Sequence, residues 1–481
     1  MGRTARMSDL MQSSGVAFGT SGARGLVSSM TDEVCYAFTR AFFQSLANEP
    51  TDVGIAGDLR SSTGRIMSAV TRACIDHGHR PINCGRIPSP AAALFGIEKG
   101  IPTVMVTGSH IPDDRNGIKF NKASGEILKA DEASIRQQTV TLPDHFDRDG
   151  MLLPGAIPEA QTVADEARSA YVRRFLSAFP AGMLEKKRIV VYEHSSVSRE
   201  ILSEILRALG ADVVRVGFSE AFVPVDTEAM RDADVEAARR WAEEHAPFAV
   251  VSTDGDGDRP LVGDEHGKWL RGDVAGILCA KYAGADVVVT PVSSNTAVEK
   301  SGLFESVIRT RIGSPFVIES MQQAAQAVGR CVVGYEANGG FLTASSVRLR
   351  HGTLSPLPTR DAVVVILSIL GLAVDGGASV SSLIDGLPRR FTASDRLTGF
   401  APERSAALLS GLARKNAAGI EAILGKVAAV DVTDGLRITF DSGEIAHLRA
   451  SGNAPELRCY AEAATEQRAR EITSMVLDLV K

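Results

Sequence analysis

The six cysteines, Cys35, Cys74, Cys84, Cys279, Cys331 and Cys459, never form a C-x-x-C pair. Zinc ribbons and dithiol redox motifs need such pairs, so the six read as reduced, mostly buried thiols. Long apolar runs are missing too: the longest, Ala362 to Val374, is too short to span a bilayer. Positive charge is not in excess, since 52 Lys and Arg stand against 58 Asp and Glu for a net charge of −6 and a pI near 5.9. No global field holds a polyanion, and nucleic acid is not expected as a partner. The opening MGRTARMSDLMQSSG carries arginines but no apolar core, and Arg6 stands where a myristoylation signal wants Ser or Thr. A cytoplasmic protein without a membrane partner is expected. No short-period repeat is found, although larger units could still be structural copies that sequence hides.

What is there is ordinary globular material. At 481 residues and about 150 per domain, about three domains are expected. Hydrophobic residues at 44% with 45 glycines and 20 prolines exclude disorder, collagen and coiled coil. Short β-branched runs at 53–57, 103–107, 188–192, 211–216, 248–253 and 285–290 alternate with segments of helical periodicity at 31–48, 66–78, 198–209 and 231–244. This alternation predicts an α/β chain with mixed, largely parallel sheets. Residues 359–361, Thr-Arg-Asp, offer an N-cap and an acidic first turn to a buried helix over Ala362 to Leu372. The Gly- and Pro-rich stretch 150–160 reads as a linker. From about 390 the character changes to a strand pair turning at Asp434-Gly435 and a final helix over 465–480. Three consecutive α/β units, 1–155, 156–267 and 268–389, are therefore expected before a smaller α+β unit, 390–481.

Five clusters carry candidate chemistry. TGSHIPDDRNGIK at 107–119 follows a strand, where parallel sheets place ligands. In that loop, read as exposed, Ser109 offers a nucleophile or phosphate carrier beside His110, and Lys119 a cation. DGDGDR at 254–259 sets three carboxylates at alternate positions, fit for one hard cation, magnesium by preference. An EF-hand is excluded because Arg259 stands where that loop needs Gly and the entry is a strand. FGTSGARG at 18–25 suits an anion through backbone amides and Arg24. RASGNAP at 449–455 suits a phosphate through Arg449, and in GYEANGG at 334–340 Glu336 and Asn338 suit sugar hydroxyls.

In their order along the chain these five motifs resemble those of the α-D-phosphohexomutases, and the resemblance covers nearly the whole length. GYEANGG followed by LPTRDA at 357–362 is most similar to the bacterial phosphomannomutase branch. The resemblance implies four domains around a central cleft and reversible phosphoryl transfer between the 6- and 1-positions of a hexose phosphate, through a phosphoserine and a 1,6-bisphosphate. It implies that Ser109 carries phosphate and binds magnesium together with Asp254, Asp256 and Asp258. Arg24 and Lys119 would serve as acid/base and charge-stabilising groups, His110 would support them, and Arg259 would lie against the transferred phosphate. Arg311, Gly313 and Ser314 would belong to a specificity loop with Glu336 and Asn338, while Arg449, Ser451, Gly452 and Asn453 would hold the phosphate that does not react. Magnesium, glucose 1,6-bisphosphate or mannose 1,6-bisphosphate as activator, a small-molecule hexose phosphate and a monomer or weak homodimer complete the expectation. The loop reads TGSHIP where the family commonly has TASHNP, so Gly108 replaces alanine. Phosphoglucomutase or dual specificity is the alternative within the family. A haloacid-dehalogenase-type phosphatase using Asp254, and a non-catalytic sugar-phosphate binder, are the alternatives outside it.

Overall fold

Three times along the chain a β-branched strand is followed by a helix, a parallel neighbour on one side, another helix and a parallel neighbour on the other side. Each time the third strand then turns back into an antiparallel fourth. In a computed structural model, which describes residues 2–19, 22–46, 51–159, 162–327, 329–414, 417–451 and 455–481, the first such set is Asp52–Gly57, Arg80–Arg86, Thr103–Val106 and Arg115–Lys122. The second is Arg188–His194, Asp212–Phe218, Ala249–Thr253 and Pro260–Gly263. The third is Val287–Pro291, Ser306–Thr310, Val332–Tyr335 and Phe341–Thr343. All three share one strand order, second-first-third-fourth. The first sheet is extended past Arg115–Lys122 by Ala23–Leu26 and Ala17–Phe18. The units are structural copies without a readable sequence repeat.

Parallel neighbours cannot be joined by a hairpin, so helices such as Thr63–Asp76, Arg199–Ala208 and Ser314–Ala324 make the crossovers. The third-to-fourth connection, by contrast, is a short turn, and it recurs at 107–114, 254–259 and 336–340. Three of the five motifs thus occupy one topological position in three copies.

The first three units share a core. One hydrophobic cluster runs from Phe95 through Tyr171, Ile205 and Leu278 to the helix Ala362–Asp375. Eleven of that helix's fourteen residues are buried, so the longest apolar run of the sequence is the centre of the molecule. Its cap is Asp361, whose carboxylate accepts from the Val363 and Val364 amides, rather than Thr359. No described helix is long and apolar enough to cross a membrane. The last unit has its own core beneath the antiparallel sheet Phe391–Thr398, Glu456–Ala463, Ile445–Ala450, Leu436–Phe440 and Val427–Asp431, covered by the helix Glu466–Val480. All six cysteines are free, five of them buried.

Two buried histidines make this fold acid-sensitive. His194 and His447 each bond one ring nitrogen to a backbone carbonyl, that of Thr253 at 2.8 Å and Asp434 at 2.6 Å, while their Nδ1 atoms are buried without a partner. Burial pushes both down to about 4. In the unfolded chain they titrate near 6.5, so between pH 6.5 and 4 the unfolded state binds more protons. Their contribution is complete above pH 6.5 and lost as pH falls toward 4, about 1 kcal/mol each at pH 5.5. Urea unfolding at pH 7.5 and 5.5 is expected to show this loss, reduced in His194→Gln and His447→Gln. An unchanged difference in both variants would refute the assignment.

Candidate active site

The turn after the third strand of the first unit holds Ser109 in a strained, left-handed backbone conformation at φ 56°. Its amide donates to Thr107 Oγ1 at 2.8 Å, and its hydroxyl donates to Asp254 Oδ2 at 2.5 Å, across the boundary between the first two units. The sequence suggested an exposed loop, but Ser109 is 1% exposed. The second unit closes over it.

Beneath the loop lies Arg60, 2% exposed and absent from the sequence reading. Its guanidinium donates to the carbonyls of Ser109 at 2.9 Å, Pro112 at 2.7 Å, Arg115 at 3.0 Å and Ile111. Asp58, bonded also by Thr63 Oγ1, pairs with it at 3.2 Å, and the Phe222 ring of the second unit stacks over it at 3.9 Å. A Cβ at position 108 would lie 2.6 Å from Arg60 Cζ. Gly108 thus leaves room for a guanidinium that its own hydrogen bonds hold in place.

The oxygens of Asp254, Asp256 and Asp258 lie within 4.8 Å of one another. Lys119 Nζ donates to Asp256 and Asp258 at 2.6 Å each, and Ser89 Oγ to Asp256 at 2.6 Å. Asp256 Oδ1 and Asp258 Oδ1 remain buried without a donor. Burial first, then Asp256 and Asp258, holds the Asp254 carboxyl well above the usual range. Hard oxygen donors, two of them orphaned, in a group whose repulsion a divalent cation relieves, fit magnesium. Burial opposes the Lys119 charge, but Asp256 and Asp258 outweigh it and raise its pKa.

Cations ring the triad. Arg360, again missed, is 2% exposed and donates to Asp258 Oδ2 from Nε at 3.0 Å and Nη2 at 2.8 Å, and to Glu336 Oε2 from Nη1 at 2.8 Å. Arg259 Nε lies 3.8 Å from Asp258. Burial, followed by the Arg259 and Arg360 charges, pushes Arg24 down to about 10. His110 Nδ1 is 3.3 Å from Ser109 Oγ, and burial with the Arg259 and Arg24 charges keeps its ring neutral. Four carboxylates, Asp254, Asp256, Asp258 and Glu336, meet four cations, Arg24, Lys119, Arg259 and Arg360.

The remaining sequence-predicted residues sit elsewhere. Asn338 turns its side-chain oxygen to the Gly340 amide at 2.9 Å, inside its own loop. Ser314, the first residue of the helix Ser314–Ala324, is buried and donates to Glu126 of the first unit at 3.0 Å, and Gly313 caps that helix. Arg311 donates to the Thr433 carbonyl at 3.1 Å. Asp434 Oδ2 accepts from the Ile312 amide at 2.9 Å and from Arg449 Nε at 3.0 Å, joining that loop to the last unit. The Ser451 amide donates to the Glu456 carbonyl at 2.9 Å. Gly452 and Asn453 lie outside the described residues, as do Thr20 and Ser21 of the Gly-rich loop.

Family models described as phosphoglucomutase/phosphomannomutase match in series: alpha/beta/alpha domain I over residues 15–143, domain II over 169–267, domain III over 271–391 and the C-terminal domain over 410–479. A phosphomannomutase of Salmonella muenchen is 42% identical, covering 98% of this chain and 97% of its own. One of Sinorhizobium fredii is 39% identical, with 96% and 98% covered. Among solved structures, a phosphoglucomutase/phosphomannomutase family protein of Burkholderia thailandensis shares the fold at a TM-score of 0.73 and 17% identity, with 96% of each chain covered.

Proposed function

The chain belongs to the phosphoglucomutase/phosphomannomutase family, and from that premise we propose how its residues interconvert mannose 6-phosphate and mannose 1-phosphate. It is a phosphohexomutase, an isomerase that moves a phosphoryl group within a hexose phosphate. Ser109 is the carrier. The observation that carries this reading is its hydroxyl 2.5 Å from Asp254 Oδ2, at the mouth of the carboxylate triad.

Phosphorylated Ser109 gives its phosphoryl group to a sugar hydroxyl: the bond from phosphorus to Oγ breaks, one to the sugar oxygen forms, and Oγ leaves as an alkoxide beside the cations. Arg24, whose charge burial disfavours, takes and returns the hydroxyl proton, and Lys119, held charged by Asp256 and Asp258, steadies the charge, with His110 in support and Arg259 against the phosphoryl oxygens. The 1,6-bisphosphate turns over in the cleft, and its other phosphoryl group returns to Oγ. Asp254, Asp256, Asp258 and the Ser109 oxygen would hold magnesium, which supplies charge neutralisation at the phosphoryl group. Glu336 and Asn338 read sugar hydroxyls, and Arg311, Gly313 and Ser314 shape the loop beside them. Arg449, Ser451, Gly452 and Asn453 hold the distal phosphate, with glucose or mannose 1,6-bisphosphate as activator. The working units meet at residues 155, 267 and 389.

Phosphorus NMR with magnesium and catalytic glucose 1,6-bisphosphate tests this, with mannose 6-phosphate, glucose 6-phosphate and glucosamine 6-phosphate in separate tubes. A mannose 1-phosphate resonance forming fastest is expected. Faster turnover of glucose would overturn the assigned sugar, and release of inorganic phosphate would favour a phosphatase. Asp256→Asn is expected to weaken magnesium binding and activity together, by about a hundredfold. Titration calorimetry showing unchanged magnesium affinity would remove the triad from the mechanism.

A further inference from the structure

A buried arginine joining two functional loops needs a reason. Arg360 follows the segment 355–359, where Leu357 bridges Thr343, and precedes Asp361, the cap of the central helix, whose carboxylate also accepts from Tyr171 at 2.7 Å. Its backbone is therefore anchored to the shared core, where the Asp361 amide donates to the Phe341 carbonyl at 2.9 Å. From that platform one guanidinium reaches both Asp258 in the metal loop and Glu336 in the sugar loop. Asp258 has other cations in Lys119 and Arg259. For Glu336, Arg360 is the one ion-pair partner among the described residues. The route is built into the sugar loop itself, because a Cβ at position 340 would collide with Arg360 Cδ and lie 2.6 Å from its Cγ. Gly340 has an ordinary backbone conformation, so what it supplies is room for that side chain.

We infer that Arg360 is a specificity-determining positioning residue: it holds the Glu336 carboxylate in register with the metal loop, so that the sugar is read at a fixed distance from the phosphoryl group. A planar guanidinium suits this because its edges address two carboxylates in fixed directions, whereas an ammonium is a point charge with no such geometry. A pair buried to this degree also keeps its partners from relaxing, since a buried carboxylate without a donor is strongly disfavoured. The 6-phosphate and 1-phosphate poses both present the sugar to the same carboxylate. A shift of Glu336 therefore degrades recognition in both directions of the reaction. Gly340 and Arg360 form one device, in which the missing side chain of the first is the space of the second.

The inference rests on Glu336 reading the sugar, and the experiment separates the two. Arg360→Lys retains the charge and is expected to raise the KM for hexose 1-phosphate about tenfold, with a smaller effect on kcat. It is also expected to draw the mannose-to-glucose ratio of kcat/KM toward one, with magnesium affinity by calorimetry within about threefold of the parent. Glu336→Gln is expected to move the same ratio, and the double variant to be no worse than the poorer single variant, as for groups acting as a unit. Gly340→Ala, which displaces the Arg360 stem and leaves both charges, is expected to reproduce the Arg360→Lys pattern and serves if the lysine variant does not fold. If Glu336→Gln leaves the ratio unmoved, the sugar-loop reading fails and the inference with it. If Glu336→Gln moves the ratio while Arg360→Lys and Gly340→Ala do not, or if the two losses add in the double variant, the inference alone is overturned.

Discussion

Ser109→Ala is expected to abolish mutase turnover, by at least about 10⁴-fold, because it removes the oxygen proposed to carry phosphate. The fold should survive the change. Alanine meets the same backbone strain at φ 56° as serine does. What is lost is the hydrogen bond to Asp254 and the contact with His110 Nδ1; the first leaves a buried carboxyl short of a donor, a cost of about 1–3 kcal/mol. Two measurements check this. Initial rates with saturating bisphosphate should fall to background, and mass spectrometry after incubation with the bisphosphate should show a phosphorylated parent and an unmodified variant. A variant that keeps full turnover would remove Ser109 from the mechanism, and one that loses turnover but still takes phosphate would move the carrier to another residue.

The strands and the loops that follow them were readable because both signals are local. A β-branched run such as 249–253 predicts a strand, and glycines and aspartates immediately after it predict a tight polar turn. The threefold repetition was not readable. The copies share strand order, while their turns, TGSHIPDD, DGDGDR and EANGG, have no residue pattern in common. Arg60 and Arg360 escaped for another reason. An isolated arginine in a sequence reads as solvated surface, and burial becomes credible only with a partner in view. The partners of Arg360 lie 24 and 102 residues away in the chain, and Ser314 finds Glu126 across 188. The motif D-L-R at 58–60 directly follows the predicted strand 53–57, so the one available signal was its position at a strand's C-terminal end. The sequence predicts an exposed loop for Ser109 because turn residues usually are exposed. Here a second unit, folded from residues far along the chain, covers the turn.

That cover makes Arg60 the residue whose loss is expected to damage stability most. In Arg60→Met four loop carbonyls, those of Ser109, Ile111, Pro112 and Arg115, lose their donor. Asp58, fully buried, loses its cation. Burial already pushes the Asp58 pKa up, with Arg60 opposing the rise. Breaking such a pair costs about 3–5 kcal/mol, seen as a lower melting temperature. Turnover should fall by two orders of magnitude or so, since the Ser109 carbonyl is one of the four anchors and small displacements of a reacting group are costly. The two losses have separable origins. Adding Asp58→Asn to Arg60→Met removes the unpaired charge and is expected to recover part of the melting temperature without recovering kcat. Recovery of both would mean that the loop needs only a neutral floor, and recovery of neither would mean that the carbonyl bonds, rather than the charge pair, carry the stability. Gly108→Ala approaches the same arrangement from above: its methyl group meets the guanidinium, so it should lower kcat while leaving the Asp58 pair formed. A normal rate in that variant would show that Arg60 can yield without disturbing Ser109.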